Sequence, residues 1–187
     1  MTSHRLGRFG ASAVGVLLAA LLSTAPMAVR AQTVDSDTFV LSGQLTSDTP
    51  VMAADVQTGT LTLTSDCVGP SVDSDAGDVS VVSNGQSGPC LSATGAFTSM
   101  DCGLVTATMT GTINAGTFAG TDHTAESYNV SFTLTMIGDV GVIDGTASEP
   151  GSTAFGPFAG TFVAPTTEEC VDGISLWGVD GAVTTNA

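Results

Sequence analysis

The sequence predicts an all-β protein folded as a single antiparallel β-barrel of about eight to ten strands, with a β-sandwich as the alternative. Three observations carry this expectation. Beyond the first thirty residues, apolar and polar side chains alternate with a period of two. Clusters of Gly, Pro, Asp and Asn punctuate the alternating runs. After the N-terminal stretch, no segment carries the 3.6-residue apolar stripe of an amphipathic helix. A long strand and mostly local turns favour closure into a barrel.

The first element is a leader. Arg5 and Arg8 form a positive start, and Ala11 to Leu22 is apolar but too short to span a bilayer comfortably. Val29-Arg30-Ala31 then presents small or aliphatic residues at the two positions a signal peptidase reads. Cleavage after Ala25 or Ala28 would place Pro26 badly, so residues 1–31 are expected to be a cleaved signal peptide and residues 32–187 one secreted, extracellular β-domain. Arg5 and Arg8 are not adjacent, against a twin-arginine signal. No cysteine follows the apolar stretch closely enough for a lipoprotein anchor.

The strands follow in order. Phe39, Leu41 and Leu45 alternate with polar residues, and Leu61 and Leu63 alternate with threonines over Thr60 to Thr64, a parity that carries Cys67 onto the leucine face. Asp78 to Ser83 is a shorter candidate. Val105, Ala107, Met109 and Ile113 alternate with Thr106, Thr108, Thr110 and Thr112. The clearest run is Ser127 to Ile137, where Tyr128, Val130, Phe132, Leu134 and Met136 mark one face of a strand about 36 Å long. Val140 to Thr146, Gly156 to Val163 and Ile174 to Val183 complete the set. Glycines within strands, at Gly43, Gly111, Gly160 and Gly178, suit the sharp bends or close contacts of a curved sheet. Turns are expected at Val68-Gly69-Pro70, Asn84-Gly85, Ser87-Gly88-Pro89, Gly138-Asp139 and Glu149-Pro150-Gly151.

Cys67, Cys90, Cys102 and Cys170 all follow the leader, and an even count in an exported domain predicts two disulfides. No pair has the spacing of a zinc knuckle. Three connectivities are open. Cys90–Cys102, closing a short loop around Gly95-Ala96-Phe97, is the preferred one, with Cys67–Cys170 joining distant segments.

Charge excludes several classes of function. The chain has 18 acids, three arginines and no lysine, for a net charge of -15. All three arginines lie in the first thirty residues, so residues 32–187 carry -18 with His123 neutral. Without a basic patch or guanidinium fork, nucleic acid and anionic membrane are not expected partners, whereas cations or basic surfaces are weakly attracted. An outer-membrane barrel would show girdles of Tyr and Trp, yet Tyr128 and Trp177 stand alone. The cadence of Thr/Gly-rich strands, with Pro165-Thr-Thr-Glu-Glu-Cys170 before a final strand, resembles small secreted β-proteins of high-GC bacteria, a group with no assigned activity and no site to carry over.

The catalytic inventory is thin. His123, flanked by Asp122 and Thr124, has no Gly-x-Ser-x-Gly elbow to serve and reads as a turn residue. Glu168 and Glu169 are adjacent, so in an extended segment they point to opposite faces. Asp73, Asp75 and Asp78 form the best cation candidate, with calcium the matching ion, but Asp78 occupies the glycine position of an EF-hand loop and a solvated acidic turn is the simpler reading. Threonine ladders suggest ice binding, against the plainer account that threonine suits the wet face of a sheet. No cofactor is expected. The sequence therefore points to a secreted, non-enzymatic structural or interaction protein. A barrel around a small apolar ligand is the alternative, and an enzyme using carboxylates trails both.

Overall fold

The computed structural model describes residues 37–53, 56–67, 72–73, 89–114 and 127–185. Among these the protein is all-β with no helix. Eight long strands, β1 (Asp37–Val51), β2 (Gln57–Cys67), β4 (Leu91–Asp101), β5 (Leu104–Asn114), β6 (Ser127–Ile137), β7 (Val140–Ser148), β8 (Gly156–Val163) and β9 (Ile174–Thr185), form one antiparallel sheet. It runs in the order β2-β4-β5-β6-β7-β8-β9-β1, and β1 also pairs with β2, which closes the barrel. The two-residue β3 (Val72–Asp73) adds to the start of β1. Chain order and spatial order nearly coincide, and two-residue turns join β4 to β5 and β6 to β7.

Closure follows from alternation. The sheet has one apolar face, and curling hides that face while abolishing the unpaired edges an open sheet would expose. Ser127 to Ile137 forms β6 as expected, with Tyr128, Val130, Phe132, Leu134 and Met136 buried. Gly138, at φ +58°, and Asp139 turn it into β7, and Gly151, at φ +85°, lies between β7 and β8. The expected strand at 78–83 and the turns at 68–70, 84–85 and 87–88 lie outside the described residues.

Strand β4 departs from expectation, since the sequence places Gly95-Ala96-Phe97 in a short loop. Its inward positions are Leu91, Ala93, Gly95, Phe97 and Ser99, so glycine and serine interrupt the apolar alternation that marks the other strands. Its register is nonetheless continuous from Leu91 to Ser99, with Leu63↔Ala93 on one side and Phe97↔Ala107 on the other, and shifts only between Ser99 and Asp101.

This strand also overturns the preferred disulfide pairing. Cys90 and Cys102 stand at opposite ends of β4, about 40 Å apart at the rise of an extended chain, so they cannot bond. The bridges are instead Cys67–Cys90, with Cα atoms 5.3 Å apart, and Cys102–Cys170, at 5.9 Å. The first joins the end of β2 to the start of its neighbour β4, where Ser65 already pairs with Leu91. The second ties the β4–β5 turn to the segment before β9. Closing loops of 23 and 68 residues stabilises by about 3 and about 4 kcal/mol in the chain-entropy account. Two disulfides are compatible with an extracellular protein.

The lumen is occupied by side chains. Phe39, Leu45, Leu63, Met109, Leu134 and Phe158 point inward and are fully buried or nearly so. Glycines make room for the rings. Gly145 on β7 pairs with Phe132 on one side and Phe158 on the other, and the two rings meet with centroids 5.4 Å apart. A Cβ on Gly145 would overlap the Ser131 carbonyl oxygen and the Phe132 backbone. Of the strand glycines named from sequence, Gly43, Gly111 and Gly160 lie just as close to a neighbouring backbone, as a tightly coiled sheet requires. Gly178 has another role, donating its N–H to the Pro165 carbonyl at 2.7 Å.

Candidate functional site

The outer wall is the reverse of a membrane barrel, polar outside and apolar within. From Ser92 to Thr98, Thr106 to Thr112 and Asn129 to Thr135, every outward residue is uncharged, and all but Ala96 and Asn129 bear a hydroxyl. Antiparallel register aligns these side chains into ranks that cross the strands. One runs Thr46, Thr62, Thr94, Thr110, Ser131, Thr146 over six strands. The next runs Gln44, Thr64, Ser92, Thr112, Asn129 over five. β-Branched threonines hold few rotamers on a strand, so the hydroxyls are preset in position.

These ranks are curved. Eight strands close a full turn, so the outward direction rotates by about 45° per strand on average. The flat presentation that ice binding calls for is therefore confined to two or three neighbouring strands.

The second rank begins in a groove of about 310 Å³ on the β1–β2 seam, lined by Ser42, Gln44, Thr64, Ser65, Asp66 and Pro89. Gly43 pairs with Ser65 at its floor. Gly43 has no side chain and Ser65 turns inward, its hydroxyl donating to the Asp66 carbonyl at 2.9 Å, so the wall is thin there. Gln44 and Asp66 are exposed at the rim.

Beyond the far end of this rank stands Phe155, 71% exposed. It immediately precedes Gly156, which pairs with Ala147, next to the Ser148 that pairs with Asn129. Phe155 lies just before β8 with its ring open to solvent, while Ser148, the β7 position between it and Asn129, is buried. Trp177 is buried, and Tyr128 lies on the buried face of β6 as its alternation predicts. Tyr128 donates its hydroxyl to the buried Asp37 carboxylate at 2.5 Å.

At the opposite end of the barrel, Leu104, Ile137, Val140 and Val163 form an exposed aliphatic row in register across β5 to β8.

Asp73 pairs with Asp37 through the backbone ladder, while Asp75, Asp78 and His123 lie outside the described residues. Among the described residues no cluster of His, Cys, Asp or Glu could hold a metal. Glu168 is committed to structure, accepting from the Ser175 N–H at 2.5 Å and the Leu176 N–H at 2.7 Å. Those two backbone bonds hold its carboxyl below the ordinary value of 4.5. Asp48 accepts from the Thr60 N–H at 2.7 Å, which likewise holds it below 3.8.

Both groups are therefore more acidic folded than unfolded. Their stabilisation is full above the unfolded values and is lost as pH falls through the folded ones. The melting temperature is expected to fall on acidification below about pH 4.5. In Glu168→Gln it should start lower at neutral pH and fall less steeply, as circular dichroism melts from pH 6 to 3 would record.

No family model, curated protein or solved structure matches the chain.

Proposed function

We propose that this is a secreted, non-catalytic interaction protein whose working surface is the outer wall of the barrel rather than its lumen. The observation that carries this reading is the burial of the inward side chains. Phe97, Phe132, Phe158, Phe162 and Trp177 are each at most 2% exposed. A void large enough for a guest would leave its lining open to water from within, and these rings have no such surface. Export by the 1–31 leader brings the two disulfides into an oxidising compartment where they persist.

Native mass spectrometry of protein from its own culture medium tests the reading, together with titration by an apolar fluorescent probe. The expected result is a bare polypeptide mass and no saturable probe signal. A stoichiometric small-molecule adduct, or probe binding that vanishes on unfolding, would replace this reading with the ligand-carrying barrel.

A further inference from the structure

We infer that the rank Gln44–Thr64–Ser92–Thr112–Asn129 is a binding track for a single strand of neutral polysaccharide, entered at the β1–β2 groove and finished by ring stacking on Phe155. The inference rests on the reading of the outer wall as the working surface.

Hydrogen-bonding chemistry selects the class of ligand. Hydroxyls both donate and accept, the Gln44 and Asn129 amides do both with separate atoms, and the Asp66 carboxylate only accepts. That mixture matches a polyol, whose every hydroxyl is itself donor and acceptor. Charge narrows the class further. Residues 32–187 hold 18 acids and no lysine or arginine, so a sulfated, phosphorylated or uronic-acid chain meets repulsion with no cation to offset it. A neutral chain meets none along Ser92, Thr112 and Asn129.

Geometry selects the form. Neighbouring strands lie about 4.8 Å apart, so the four steps from Gln44 to Asn129 cover about 19 Å of arc. Each step is close to the length of one pyranose unit in an extended glycan. A jointed chain can follow a rank that turns by about 45° per strand, whereas a rigid crystal face cannot. The groove volume of about 310 Å³ sits at the small end of ligand pockets, room for one ring to seat beside Gln44 and Asp66. At the other end, Phe155 offers an exposed ring to the C–H face of a sugar.

Affinity electrophoresis in native gels tests the track, since a protein this acidic migrates strongly without any tag. Gels would contain dextran, laminarin, mannan or neutral xylan, with alginate as the polyanionic comparison. At least one neutral polymer is expected to retard the wild-type protein, and alginate none. Phe155→Ala, and the pair Gln44→Ala with Thr112→Val, should each weaken that retardation at least tenfold while leaving the circular dichroism spectrum unchanged. Thr161→Val, on the outer face of β8, should bind as wild type. No retardation by any neutral polymer, retardation by alginate alone, or equal retardation of all variants would overturn the track. So would thermal hysteresis that Thr112→Val abolishes, which would assign the hydroxyls to ice. None of these outcomes touches the occupied lumen, which falls only to the adduct or the apolar probe.

Discussion

Phe132→Asp is expected to abolish folding, whereas Thr133→Asp, one residue along the same strand, should leave a folded protein. Phe132 is 2% exposed, packs against Phe158 with the rings tilted at 59°, and sits opposite Gly145, where no water can reach a carboxylate. Losing the ring costs about 4 kcal/mol by itself, and burying an unpaired acid adds a further penalty. Together these approach the whole stability of an ordinary domain, roughly 5–15 kcal/mol. Thr133 points to solvent, but its cross-strand partner is Asp144, so like-charge repulsion should cost up to about 1 kcal/mol. Secretion yield and circular dichroism distinguish the two variants. Equal damage from both would mean that β6 is covered on both faces.

Gly145→Val is expected to destabilise by about 3 kcal/mol or more, the upper range for forcing extra volume into a packed interior. Its Cβ would fall on the Ser131 carbonyl oxygen and the Phe132 backbone of the adjacent strand, groups that cannot swing aside. Gly138→Ala is the matched comparison. Gly138 has open space around it and a φ of +58°, so alanine there should cost only about 1–2 kcal/mol of backbone strain. Urea denaturation of both variants checks the order. A larger loss at Gly138 would show that turn conformation, rather than close strand approach, governs this barrel.

Legibility in the sequence tracked how cleanly one face of each strand stayed apolar. β6 could be bounded to the residue because its five inward side chains are all large and apolar. β4 could not, because Gly95 and Ser99 hold inward positions where a curved sheet needs space. The disulfides depend on the same strand: as the ends of a loop Cys90 and Cys102 are neighbours, whereas an eleven-residue strand separates them. The threonines were visible as composition, but their alignment into ranks depends on register, which no single strand encodes. The groove was hidden for the same reason. Gly43 and Ser65 are unremarkable twenty-two positions apart in the chain and form a depression only once β1 and β2 pair. Phe155 lies just outside a strand, where alternation carries no signal.

The two bridges at either end of β4 have a consequence for how the chain finds its fold. Strand β5 repeats threonine at every second position from Thr106 to Thr112, and β2 and β4 are nearly as monotonous outside. A slip of two residues keeps every side chain on its proper face, so alternation alone leaves such slipped pairings close in energy. Within the lumen, a ring must meet its glycine, as Phe132 and Phe158 meet Gly145, and only one alignment allows that. On the covalent side, Cys67–Cys90 fixes β4 against β2 at one mouth of the barrel, and Cys102–Cys170 clamps its other end. A sequence so repetitive on its surface is thereby held to a single reading frame between strands, and reductive refolding would release a population of misaligned barrels.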